Sequence, residues 1–201
     1  MTTMNDKLAR VLQLIDAANA EDPNRINVAG RERPAELVYG ERMTAALHTL
    51  CGKPSEVLSI AARAQHLERW TSPRSGYPEG RAGYLKWRTD LKAFHARRAG
   101  ELMAEAGYDE DDIARVAVLI NKKGIKRDPE VQMLEDAVCL TFLAHYAADF
   151  IAKHEDDKVI DILAKTARKM SADGLSAAAG LPLDERLARL LGVALERRSG
   201  E

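Results

Sequence analysis

The sequence lacks most of the features that would declare a chemistry outright. Its two cysteines, Cys51 and Cys139, form no CxxC pair and no spacing suited to a structural zinc or a disulfide framework, so both are expected as reduced thiols. No apolar run reaches the roughly 18 to 20 residues a membrane span requires, and Met1 to Arg10 carries no signal-peptide apolar core. The expected compartment is therefore the cytoplasm, with no membrane partner. Aromatic residues make up only 5% and no segment alternates with period 2, which leaves little room for β structure. There is no internal repeat. A formal net charge of −1 removes any global pull toward nucleic acid or anionic lipid, although it conceals how charge is distributed.

What is present is helical periodicity. With 46% apolar and 30% charged residues over 201 positions, the chain has the balance of one packed domain spanning 1–201, with a tail expected to fray over 197–201. Leu8, Val11, Leu12, Ile15 and Ala18 predict a first helix from Asn5 to Ala20. Pro34 suits the first turn of a second, which ends near Gly52 and is weakened by Gly40. Val57, Leu58, Ile60, Ala61, Ala64 and Leu67 predict a third, central helix that carries Arg63, His66 and Arg69 on one side. The stretch Trp70 to Gly83, with two prolines and three glycines, predicts the one substantial loop. A long helix follows to Ala106, stopped by Gly107. Asp109 and the pair Asp128-Pro129 are N-terminal signals for two more, the second running through Phe150. Val159 to Ala167 and Leu183 to Glu196 predict the last two. The fold class is all-α, a single-domain helical bundle.

Charge is concentrated where the loop is. Between Arg63 and Arg98 there are nine Lys/Arg against three acids. Guanidinium groups around a Tyr-Pro-Gly loop suit a phosphate or carboxylate, which makes Arg63, Arg69, Tyr77, Arg81 and Arg88 candidate substrate-binding residues. His66 and His95 lie on the two helices that flank this loop. Glu135 and Asp136 interrupt an otherwise apolar stretch, where a carboxylate needs a cation or a metal nearby. The spacing of His145, His154 and Glu155 does not form the HExxH zinc pattern.

Tyr39-Gly40-Glu41-Arg42-Met43, Ala62-Arg63-Ala64-Gln65-His66 with Arg69-Trp70, Tyr77-Pro78-Glu79-Gly80-Arg81 with Gly83-Tyr84-Leu85, and Leu134-Glu135-Asp136 together resemble a domain-of-unknown-function family, number 4202, over nearly the whole chain. More distantly, the order of elements is similar to the HD superfamily of metal-dependent phosphohydrolases. That resemblance implies an HD-like fold and a divalent metal (Mn, Fe, Zn or Mg) held by His66, His95, Asp136 and Glu41, with Glu68 and Glu135 as catalytic carboxylates. Leu67 stands where the aspartate of the dyad belongs. Two further readings use the same residues: a metal-free module for an anionic small molecule or nucleotide, and, less favoured, binding of RNA or single-stranded nucleic acid through Arg and aromatic side chains.

Overall fold

The computed structural model describes residues 4–199. Two compact units divide the chain: one takes the chain up to Ala45 together with Lys53–Lys123, the other Ala46–Gly52 and the chain from Gly124 onward. Both are helical, as the periodicity predicts.

In the first unit, α1 (Met4–Ala20) buries Val11 and Ile15, four residues apart on one face. The polar turn after it leads into a short antiparallel hairpin, β1 (Arg25–Val28) and β2 (Arg31–Pro34). Its two-residue connection, Ala29 and Gly30, has positive φ at both positions, the geometry that matches the twist of paired strands. This hairpin is the only sheet among the described residues. α2 (Ala35–Leu50) follows, and its last turn belongs to the second unit. Ser55 caps α3 (Glu56–Arg63) by accepting from the Leu58 amide. The loop contains two 3₁₀ turns, Arg69–Thr71 and Arg74–Gly76. α4 (Gly80–Ala106) starts three residues before the predicted Gly83, and Gly107, with φ 89°, terminates it as expected. Asp109 accepts from the Asp112 amide at the start of α5 (Glu110–Ile120). α1 packs on α3 and α4, and α5 packs on the same two helices.

In the second unit, Asp128 caps α6 (Pro129–His145), with proline in the first turn as read from the sequence. The predicted continuation to Phe150 is interrupted at Tyr146 (φ −131°, ψ −21°), and α7 (Ala147–Ile151) is a separate short helix. α8 (Asp156–Lys169), α9 (Ala172–Ala179) and α10 (Glu185–Ser199) complete it. Its core is built from Leu140, Leu143, Val159, Leu163, Leu187 and Leu190. Arg197 to Ser199, expected to fray, continue α10, while residues 200–201 and the first three residues lie outside the described residues. No helix among the described residues is long and apolar enough to cross a membrane.

Candidate functional site

The third helix ends at Arg63, not beyond Leu67, and this changes what its side chains can do. Arg63 donates to both oxygens of Asp16 at 2.6 and 2.7 Å and to the Thr44 hydroxyl at 3.2 Å, so it ties α3 to α1 and α2. His66 and Arg69 leave the helix on a tight turn and do not share a face with Arg63. That turn is held in an uncommon conformation: Glu68 has φ 52° and ψ 31°, the left-handed region that costs a non-glycine residue energy. Three neighbours over-determine it. The Glu68 amide donates to Asn19 Oδ1 at 2.9 Å, its carboxylate accepts from Arg98 Nε at 2.7 Å, and the Leu67 carbonyl faces His95 Nδ1 at 2.8 Å. Glu68, expected as a catalytic carboxylate, therefore serves as an anchor for the turn.

The turn meets the first turns of α2. His66 Nδ1 lies 3.0 Å from Glu36 Oε2, and the His66 ring stacks on Tyr39 with centroids 3.7 Å apart and planes 9° from parallel. Gly40 permits this approach, because a Cβ there would stand 3.0 Å from the Arg63 carbonyl oxygen. Arg69 reaches Glu36 Oε1 at 3.8 Å and His66 Nδ1 at 3.5 Å, and it sits 5.2 Å from the Trp87 ring. The Trp87 indole N–H donates to the Ser72 carbonyl at 2.9 Å. His95 completes the group, its ring 6.2 Å from that of His66. Glu36 itself is placed by Asp22, which accepts from the Glu36 amide at 2.9 Å and stands in for a capping residue.

Burial raises the Glu36 carboxyl from its ordinary 4.5 to about 7, against the opposing pull of the Arg69 guanidinium. Burial also holds His66 well below its ordinary value, helped by the charges of Arg69, Arg88 and Lys122. His95 is pushed down to about 3, first by burial and then by His66. Both rings are therefore neutral at pH 7. The Leu67 carbonyl can only accept, so His95 carries its proton on Nδ1 and leaves Nε2 as an acceptor. One proton lies in the Glu36–His66 bond in either state: an ionised Glu36 accepts from Nδ1–H, and a protonated Glu36 donates to Nδ1 while the neutral ring carries its own proton on Nε2. The result is a carboxyl that titrates near neutrality beside an imidazole and a guanidinium.

This arrangement fixes a dependence of stability on pH. The folded state keeps a Glu36 proton that the unfolded chain releases from about pH 4.5, so the contribution of Glu36 falls as pH rises through about 7. His95 acts in the opposite sense, since the folded state refuses a proton that the unfolded chain takes up below 6.5. In Glu36→Gln the first dependence disappears. Its stability relative to the parent is expected to increase by about 3 kcal/mol between pH 5 and pH 8, measured by urea unfolding at each pH. Parallel curves for the two proteins would contradict the placement of Glu36.

The remaining expected site residues are distributed as follows. Arg88 is half-buried and Arg81 exposed on α4, and Tyr77 lies 6.0 Å from the Lys86 ammonium. Glu41 is held by Arg33 through two bonds of 2.7 and 2.8 Å. In the second unit, Asp136 accepts from the Ser171 amide at 2.9 Å, the Ser171 hydroxyl at 2.5 Å and Gln132 Nε2 at 3.0 Å, while buried Glu135 lies 3.7 Å from Lys169 Nζ. Among the described residues no three His, Cys, Asp or Glu side chains are grouped to hold a metal ion. Of the four expected ligands, Glu41 and Asp136 commit their carboxylates to Arg33 and to Ser171 and Gln132, and His66 and His95 engage only Nδ1, but no three of them are grouped among the described residues, so they do not form a divalent-ion site as they stand. Glu36 and Tyr39 are the members that sequence reasoning missed. Nothing local marks Glu36, whose partner His66 is 30 residues away.

No curated protein and no solved structure matches the chain. The profile of one family matches residues 9–191, and the chain belongs to that family, the domain of unknown function DUF4202.

Proposed function

We propose that Glu36, His66 and Arg69 form an acid–base site for an anionic, phosphorylated small molecule, with phosphate-ester hydrolysis as the reaction class. The observation that carries this reading is the mutual contact of carboxyl, imidazole and guanidinium at 3.0, 3.5 and 3.8 Å. With Glu36 ionised, His66 holds its proton on Nδ1 and offers Nε2 as a base. Water attacks phosphorus as the ester P–O bond breaks; Nε2 takes the proton of the water and returns it to the departing oxygen. Glu36 offsets the imidazolium charge that forms in between, and Arg69 donates to the non-bridging oxygens. The charge census favours a small anion over a polyanion. Of the nine basic residues between Arg63 and Arg98, Arg63, Arg74, Lys86, Arg97 and Arg98 already donate to carboxylates or carbonyls of the protein.

The test is turnover of a panel of phosphate monoesters, beginning with p-nitrophenyl phosphate. His66→Gln is expected to lower kcat by about 100-fold or more, and Arg69→Gln to raise KM by about 10-fold. The parent profile is expected to rise with pH through about 7 as Glu36 ionises, and Glu36→Gln to lose that limb while keeping the one owed to the substrate. Turnover that is indifferent to His66 and Arg69 would rule the reading out. A metal-assisted, HD-type version makes a separate demand. Protein purified without a histidine tag would hold near-stoichiometric metal, and His66→Ala and Asp136→Ala would both lose it.

A further inference from the structure

The two large hydrophobic side chains that stand exposed among the described residues are neighbours: Tyr84 at 47% and Leu85 at 52% of full exposure. They sit in the first turns of α4 with Arg81 and Arg88. Positions 81, 84, 85 and 88 follow the i, i+3, i+4, i+7 pattern, so all four share one helix face. An amphipathic helix ordinarily turns such residues inward; here they face solvent beside the arginines. The face is also joined to the acid–base site. Tyr84 lies 6.0 Å from Trp87, Trp87 lies 5.2 Å from the Arg69 guanidinium, and Arg69 touches both His66 and Glu36.

We infer that Tyr84 and Leu85 form the platform for the non-phosphate part of the ligand, which is therefore planar and aromatic, and that the ligand class is a nucleoside monophosphate. The inference rests on the phosphate reading of the Arg69 site and adds what lies next to it. Aromatic rings stack on any nucleobase because every base has a π face, while Leu85 covers the edge of the base and Arg81 and Arg88 supply charge complementary to the phosphate. A sugar phosphate meets only the arginines. A free nucleoside meets only the platform.

Binding by calorimetry separates the two layers, with AMP, CMP, GMP and UMP against ribose 5-phosphate as probes. The parent protein is expected to bind at least one nucleoside monophosphate about 10-fold more tightly than ribose 5-phosphate. Tyr84→Ala is expected to remove that advantage and leave ribose 5-phosphate unchanged, Tyr84→Phe to retain it, and Arg69→Gln to weaken both probes. Because Tyr84 is exposed, the alanine variant should fold like the parent, and equal ribose 5-phosphate binding shows that it has. Equal affinity for all probes, or a nucleotide advantage that survives Tyr84→Ala, overturns the platform while the phosphate site stands. Absence of binding by every phosphate probe overturns both.

Discussion

Gly83→Ala is expected to lower stability by about 3 kcal/mol and to abolish the discrimination between nucleotide and sugar phosphate. A Cβ at position 83 would lie 1.9 Å from the Pro78 carbonyl oxygen and 2.7 Å from its carbon. Both are backbone atoms, so no rotamer change relieves the overlap; either the loop or the first turn of α4 must move. That turn holds Arg81 and Tyr84. Gly76→Ala is the control, because a Cβ there meets nothing within 4 Å, and its cost should stay within about 0.5 kcal/mol. Thermal unfolding of the two variants measures the contrast. A Gly83→Ala protein as stable as Gly76→Ala would show that the loop does not cross α4 where it is described.

Asp136→Ala is expected to cost about 4 kcal/mol, with or without a chelator present. The Asp136 carboxylate is only 3% exposed and accepts three hydrogen bonds, two of them from Ser171, which in turn caps α9 by accepting from the Gly174 amide. Gly174 leaves the necessary room, since a Cβ there would come within 2.6 Å of the carboxyl carbon. Truncation strands the Ser171 amide, releases the Ser171 hydroxyl that caps α9 and leaves a void, while Gln132 keeps its bond to the Lys169 carbonyl. Denaturant unfolding, with hydrogen exchange at the α9 amides, reads the effect. A cost below about 1 kcal/mol in metal-free protein would show that these bonds do not organise the start of α9.

The helices were legible where local chemistry starts and stops them. Asp109, the Asp128-Pro129 pair and Gly107 each act within one turn of their own position, so spacing alone located α5, α6 and the end of α4. The reading failed where a tertiary partner overrides the local signal. Ala64 and Leu67 continue the apolar period of α3 and are buried, yet they lie in the turn, because Asn19, His95 and Arg98 pull the chain out of the helix. No glycine or proline announces that stop. For the same reason Arg63, placed with His66 and Arg69 by spacing, separates from them and pairs with Asp16. α9 was missed because Gly174 and a run of alanines look like a linker, while its cap depends on Asp136, 35 residues back. The histidines and Arg69 were legible as residue types in a basic segment; the carboxyl that joins them was not.

Of the two tryptophans in the chain, Trp87 is almost wholly enclosed, with its N–H fixed on a carbonyl and the Arg69 guanidinium over its ring. An indole in that setting has a defined environment that includes the Arg69 guanidinium over its ring. In a Trp70→Phe background, the emission wavelength and yield of Trp87 are therefore expected to register the position of Arg69, an optical readout built into the fold.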